Sequence, residues 1–247
     1  TQLASILSII NHISKKKLIA VLIDPEKNQN RATLDRLINR IQASNIDFVF
    51  VGGSTVTEEE FSFTISYLKE NIALPIIIFP GSSHQISNEA DGILLLNLIS
   101  GRNPDFLIGH HVSAAQKIAT SDLEVISTSY LLIDGGSQSS VAYISQTTPI
   151  PQHQISITYK TALAGKLIGH KALFLDAGSG AHDSVSLEIV QEMKKLNQPL
   201  IVGGGIRSIK QIEQLHEYGA NVVVIGNKIE EDLDFLLDIR NYKLAIQ

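Results

Sequence analysis

Asp176 closes a short apolar run and is followed by Ala-Gly-Ser-Gly, so that residues 172–181 read ALFLDAGSGA. Two later stretches repeat the form: 200–207 reads LIVGGGIR and 221–227 reads NVVVIGN. Glycine lets a backbone come close to a ligand, and the N–H groups that open a helix point at it. Three such corners supply what is needed to hold a phosphate dianion. A carboxylate beside that cradle is within reach of a hydroxyl on a bound phosphate ester, so Asp176 reads as a candidate general base. The competing role for Asp176 is to cap the following turn through backbone N–H groups.

Asp24 and Ser54 form a second constellation. Each follows an apolar run, LIAVLI before Asp24 and FVFVGG before Ser54. A carboxylate and a hydroxyl, completed by water and phosphate oxygens, suit Mg2+, which keeps several waters and takes few protein ligands. An Asp before a proline is also a common turn residue. Glu26 and Lys27 are expected on the loop beyond. Other chemistries are excluded. Ser179 lacks the flanking glycine spacing of a nucleophile elbow. The glycines at 203–205 form neither a Walker A loop nor a dinucleotide fingerprint. His110 and His111 are adjacent, which on a helix separates them by about 100°. They read as surface or loop histidines. The chain has no cysteine, so thiol catalysis and zinc–thiolate sites are ruled out.

The elements that position these residues follow from periodicity. Runs of Val, Ile and Leu at 18–24, 47–53, 75–81, 91–98 and 125–134, and those that end in the glycine corners of 172–181, 200–207 and 221–227, read as strands buried on both faces. Helical patterns separate most of them. Strand, glycine corner and helix in repetition make a parallel βα array with its loops at the carboxyl ends of the strands. A chain of 247 residues matches one (β/α)8 barrel of about 250. In such barrels the phosphate site lies after the seventh and eighth strands. The reading is a single domain over 1–247, with an amphipathic helix at 2–14 as a lid on the barrel floor. With Lys15–Lys17 that helix could instead touch a membrane surface. Thr57 with Glu60, Ser208 with Gln211 and Asn227 with Glu230 are spaced as capping boxes. The last helix is expected to bury Ile229, Leu233, Leu236 and Leu237. Residues 104–120 are expected to form a helix between the fourth and fifth strands; after the fifth strand a long polar loop is expected, then a helix over 154–170.

One crossover is too short. Only SSHQISNEA, residues 82–90, lies between the third and fourth strands. A parallel crossover through a helix takes about a dozen residues or more. The third outer helix is therefore reduced or missing. That leaves either a trimmed loop or a slot in the helix layer where an elongated apolar ligand could lie.

Composition sets the outer limits. Hydrophobic residues make up 44% and charged residues 18%, as expected for a substantial core. The net charge of −5 gives no basic field for nucleic acid. No apolar run reaches the roughly 18 residues of a membrane span, and the N-terminal segment is a poor signal peptide. The absence of cysteine is compatible with a reducing cytoplasm, which is the expected location.

LIDPEK at 22–27, VGGS at 51–54, FPGSSHQIS at 79–87, LDAGSGA at 175–181, VGGGIRS at 202–208 and VVIGN at 223–227 occur in that order. Together they resemble the geranylgeranylglyceryl phosphate synthase family across the whole chain. The resemblance implies a modified (β/α)8 TIM barrel whose third helix is replaced. It implies transfer of a polyprenyl group, geranylgeranyl above all, from its diphosphate to the 3-hydroxyl of sn-glycerol 1-phosphate, giving an ether lipid precursor. It implies Mg2+ held by Asp24 and Ser54. Glycerol-phosphate contacts fall on Phe174, Leu175, Asp176, Ala177, Gly178, Ser179 and Gly180, on Gly204 and Gly205, and on Gly226 and Asn227. The general base falls on Asp176. A homo-oligomer and peripheral membrane contact are also implied. The family more often carries Tyr-Leu-Glu where this chain has Phe174-Leu175-Asp176, so the carboxylate is one methylene shorter and a tyrosine hydroxyl is lost. Two other functions fit the same barrel end: a sugar-phosphate isomerase or lyase, and a non-catalytic barrel that binds a phosphate ligand.

Overall fold

The computed structural model describes residues 5–11, 17–28 and 30–246. Eight parallel strands close into a barrel in chain order. They are β1 (Leu18–Ile23), β2 (Phe48–Val51), β3 (Ile76–Ile78), β4 (Gly92–Leu98), β5 (Glu124–Leu132), β6 (Ala172–Asp176), β7 (Leu200–Gly203) and β8 (Val222–Ile225). Side chains alternate across each strand, which creates two cores. One set, including Phe48, Phe50, Ile126, Tyr130 and Phe174, fills the barrel interior. The other, including Val49, Val51, Leu173, Leu175 and Val202, packs outward beneath the helices. This is why the strands read as continuous apolar runs. Each fully buried large side chain contributes about 1.5–3 kcal/mol.

The helices are α1 (Ile6–Asn11), α2 (Arg31–Gln42), α3 (Glu58–Asn71), α4 (His110–Ala119), α5 (Ser140–Ser145), α6 (Ile155–Leu167), α7 (Leu187–Lys194), α8 (Ile209–Tyr218), α9 (Asn227–Glu231) and α10 (Phe235–Ala245). α1 closes the floor as expected, with Ile6 and Ile10 inside the interior core. The Glu124 carboxylate accepts the N–H groups of Ile6 and Leu7 at 2.6 and 2.9 Å. A negative charge there also suits the helix dipole. The remainder of the 2–14 helix, at 2–4 and 12–14, lies outside the described residues.

No helix joins β3 to β4. In its place the fully buried Gln85 side chain braces the two adjoining loops. Its Nε2 donates to Gly53 O at 2.8 Å and its Oε1 accepts from Gly81 N at 3.0 Å. Four local expectations need correction. The loop after β5 contains α5, too short to show a period, with Ser139 as its N-cap. The helix expected from 104 opens with a π turn, Asp105–Gly109, before α4. The last helix is two helices, broken after Glu231, and Leu233 and Leu237 are only partly buried. Thr57 and Ser208 form capping boxes, whereas Asn227 does not.

Candidate active site

The carboxyl ends of the strands open onto one polar bowl. Asp24 and Ser54 line it from the β1 and β2 ends, and Phe174, Asp176, Gly178 and Ser179 from the β6 end. Gly204, Gly205, Gly226 and Asn227 line it from the β7 and β8 ends. Leu175 and Ala177 instead face the outer core, so only their backbone can reach a ligand. Gly180 sits behind the rim, its N–H donating to Asn227 Oδ1 at 2.8 Å.

Each loop has a local reason for its shape. Asp24 caps the short turn Pro25–Lys27 by accepting from Glu26 N at 3.1 Å, with Pro25 in the first turn position. Glu26 and Lys27 lie on that turn, as expected, and line the bowl. The β7 corner rides directly on the β6 corner. A Cβ on Gly204 would stand 2.7 Å from Gly178 N and 2.8 Å from Asp176 Oδ1, and its φ of +84° is left-handed. Only glycine permits that approach without strain. Asn227 is the first residue of α9, with Gly226 at the cap position. Its side chain turns away from capping to tie the β6 and β8 loops together. Its Oδ1 accepts from Gly180 N and from Ser179 Oγ at 3.2 Å, and its Nδ2 donates to Glu230 at 3.1 Å. Ser179 thus bonds an amide, not a base.

Asp176 sits at the edge of the bowl with protein atoms around most of it. Its Oδ1 accepts from Gly178 N at 2.7 Å and its Oδ2 from the Tyr130 hydroxyl at 2.5 Å. Burial raises its pKa, and these two donors work against the rise. Both expected roles are therefore visible in the geometry: one oxygen caps the turn, and lone pairs remain for a substrate hydroxyl. Asp24 is also raised, first by burial and only partly relieved by the Glu26 N–H and the Lys27 charge.

Asp24 and Ser54 bring a carboxylate and a hydroxyl to the same side of the bowl. A half-buried carboxylate whose raised pKa is only partly relieved gains from a cation beside it. Among the described residues there is no cluster of three or more His, Cys, Asp or Glu able to cage a metal. Asp24 and Ser54 are two oxygen donors, a set that would suit Mg2+ only with substrate phosphates and water completing its shell.

A second cavity adjoins the bowl. It is an apolar slot, lined mainly by Ile, Leu, Phe and Ala side chains. It runs from Phe79, Pro80 and Gly81, where the third helix is missing, to Ala114 and Ile118 of α4. Gly53, Ser54, Phe79, Tyr130 and Val141 line both cavities. The slot follows from the short crossover, because a helix there would fill it. His110 and His111 line its wall instead of lying on open surface, and burial lowers the pKa of His111. The π turn ahead of α4 sends Phe106 and His110 into the slot, stacked edge to face at 4.9 Å.

Sequence reasoning missed Tyr130, Arg207 and Lys228, which also line the bowl. Arg207 pairs with Glu231 at 2.8 Å and Lys228 with Asp232 at 2.9 Å. The Arg207–Glu231 pair is exposed, and such pairs add little stability. The usable signal for the basic residues was their place just beyond the glycine corners.

Comparison with known proteins agrees with this geometry. The sequence profile of the PcrB family matches residues 11–242. A geranylgeranylglyceryl phosphate synthase of Zunongwangia profunda is 47% identical over 216 residues, covering 87% of this chain and 92% of the relative. One from Pyrococcus furiosus is 38% identical, covering 88% and 86%. Among solved structures, (S)-3-O-geranylgeranylglyceryl phosphate synthase from Thermoplasma acidophilum, in complex with sn-glycerol-1-phosphate, superimposes with a TM-score of 0.90. It is 29% identical, and the match covers 98% of each chain. With its closed barrel, its glycine-lined bowl and its slot in place of a helix, the chain belongs to the PcrB family.

Proposed function

We propose that this chain transfers a prenyl group, geranylgeranyl by the names of its relatives, from a polyprenyl diphosphate to the 3-hydroxyl of sn-glycerol 1-phosphate. The observation that carries the reading is that a bowl lined by charged side chains and glycine corners meets an apolar slot at one wall. The bowl suits a phosphate ester and the slot suits an apolar chain. A sugar-phosphate isomerase has no use for the slot.

The residues divide the work. The corners after β6, β7 and β8 present backbone and the Asn227 amide to the glycerol phosphate. Holding the alcohol there lowers the entropic barrier. Asp176 accepts the proton of the attacking hydroxyl as the new C–O bond forms. The apolar slot walls exclude water, which would otherwise compete as the nucleophile. Asp24 and Ser54 would hold Mg2+, with Lys27, Arg207 and Lys228 nearby to balance the diphosphate charge. A Mg2+ ion held there would supply positive charge to offset the departing diphosphate.

The reading includes a cytoplasmic enzyme that works as a homo-oligomer and touches the membrane peripherally. Among the described residues no helix is long and apolar enough to cross a membrane. Ile108 and Val112, beside the slot wall, and Leu167 and Ile168, at the end of α6, are exposed apolar side chains suited to a second copy or a lipid surface.

Incubation with Mg2+, labelled sn-glycerol 1-phosphate and prenyl diphosphates of several lengths tests the reaction. Label should move into a solvent-extractable lipid. Recovery of all the label as free glycerol phosphate would leave a binding barrel, and turnover of a sugar phosphate would leave an isomerase. Two variants probe the parts. Asp24→Asn should lower Mg2+-dependent turnover by at least the roughly 10–100-fold that loss of an outer-shell metal partner costs. Calorimetric affinity for glycerol phosphate should stay near normal, since those contacts lie on the other strands. Ala114→Phe places a ring in the slot, where overpacking costs about 1–3 kcal/mol. The KM for geranylgeranyl diphosphate should rise about tenfold or more, with the KM for glycerol phosphate unchanged.

A further inference from the structure

Tyr130 stands at the wall shared by the bowl and the slot. It lies opposite Phe174 in the β5–β6 register, two pairs below Leu132 and Asp176 and so on the same face. Tyr130 and Phe174 therefore point into the barrel with Asp176, and the Tyr130 hydroxyl reaches past the Phe174 ring to Asp176 Oδ2 at 2.5 Å. Phe174 carries no hydroxyl of its own. Among the described residues, Tyr130 is the only side chain hydrogen-bonded to Asp176.

A carboxylate rotates over a broad, two-fold torsion. Gly178 N–H fixes one oxygen and Tyr130 O–H fixes the other, which sets the plane of the group. An ionised carboxylate offers about four lone-pair positions, so two remain for the acceptor alcohol. We propose that Tyr130 is a positioning residue for prenyl transfer, its hydroxyl holding the Asp176 carboxylate ionised and in one orientation toward the acceptor hydroxyl. This rests on Asp176 being the base.

The electrostatics agree with the geometry. Burial pushes Asp176 up, and the Tyr130 hydrogen bond is the first force that opposes it. Tyr130 is itself pushed well above its ordinary value, by burial first and then by the Asp176 charge, so it stays protonated and can donate. The other ionisable groups facing the bowl are Asp24, Glu26 and Lys27 after β1, Arg207 after β7, and Lys228 and Glu230 after β8. His110 and His111 of α4 face the slot side. All are present in wild type and variant alike.

A purely structural role predicts something different. The Tyr130 ring packs edge to face on Phe79 and Phe174, with centroids 5.9 and 5.6 Å away. Phenylalanine would keep both contacts and lose only the hydroxyl.

The test compares pH profiles of kcat/KM for wild type, Tyr130→Phe, Asp176→Asn and protein with 3-fluorotyrosine at position 130. A hydrogen bond to a charged group corresponds to about 1–2 pH units. In Tyr130→Phe the acid limb should move up by about that much, with kcat falling and the KM for glycerol phosphate little changed. 3-Fluorotyrosine, a stronger donor, should move the limb down. A Tyr130→Phe profile that superimposes on wild type, while Asp176→Asn is inactive, would overturn the proposal and leave the base assignment standing. An active Asp176→Asn would instead bring down the base assignment itself. If Tyr130→Phe does not unfold cooperatively, the fluorotyrosine protein decides, and an unmoved limb overturns the proposal.

Discussion

Asp176→Asn is expected to cut turnover by about 10²–10⁴-fold, the range for loss of a general base. Binding of sn-glycerol 1-phosphate should fall much less. Asn keeps the shape, and its oxygen can still accept from Gly178 N, which Asp176 Oδ1 does at 2.7 Å. The β6 turn therefore stays capped, as Asn caps about as well as Asp. What is lost is a group able to take a proton. Asp176→Glu keeps that group and should keep appreciable activity. Steady-state turnover paired with calorimetric affinity makes the distinction. Near-normal turnover in the Asn protein would reduce Asp176 to a cap.

Gly204→Ala is expected to be nearly as damaging, for a different reason. The added Cβ would meet Gly178 N at 2.7 Å, Ala177 N at 2.8 Å and Asp176 Oδ1 at 2.8 Å. Two of these are backbone atoms, so the β6 and β7 loops must separate. The left-handed φ of +84° adds strain of about 1–2 kcal/mol. A displacement of about 1 Å in such a site can cost 10²-fold, so kcat/KM should fall by about that factor. Glycerol-phosphate affinity should fall with it, unlike in Asp176→Asn. Gly180→Ala is the control, because it too has a positive φ, +75°, but open space around its Cβ position. It should cost stability and little activity. Equal losses in the two proteins would mean that strain, not loop contact, governs the site.

The barrel was legible because its strands are buried on both faces. Val, Ile and Leu run without alternation there, and each run ends at a glycine corner or a polar residue. The missing third helix could be read by counting residues 82–90. What replaces it could not. Gln85 looks like a loop residue until its side chain is seen joining Gly53 and Gly81.

The bowl was legible for the same reason as the strands, since glycines at strand ends have few other uses. Asp24, Ser54 and Asp176 could be found as polar residues at those ends. Tyr130 could not, because its partner lies 46 positions away and the contact depends on the β5–β6 register. Strand parity alone leaves that register open. Asn227 fits the spacing of a capping box, yet in the fold the bond to the β6 loop takes its side chain. His110 and His111 were read as surface residues because nothing local announces the slot beside α4.

Following one oxygen tests prenyl transfer to the 3-hydroxyl most directly. sn-Glycerol 1-phosphate labelled with 18O at the 3-hydroxyl, incubated with geranylgeranyl diphosphate, Mg2+ and the protein, should give a prenyl ether that retains the label. The diphosphate released should carry none, because the bond that breaks is between the allylic carbon and the diphosphate oxygen. Free geranylgeraniol together with 18O in a new phosphate ester would mean attack on phosphorus, and would contradict the account.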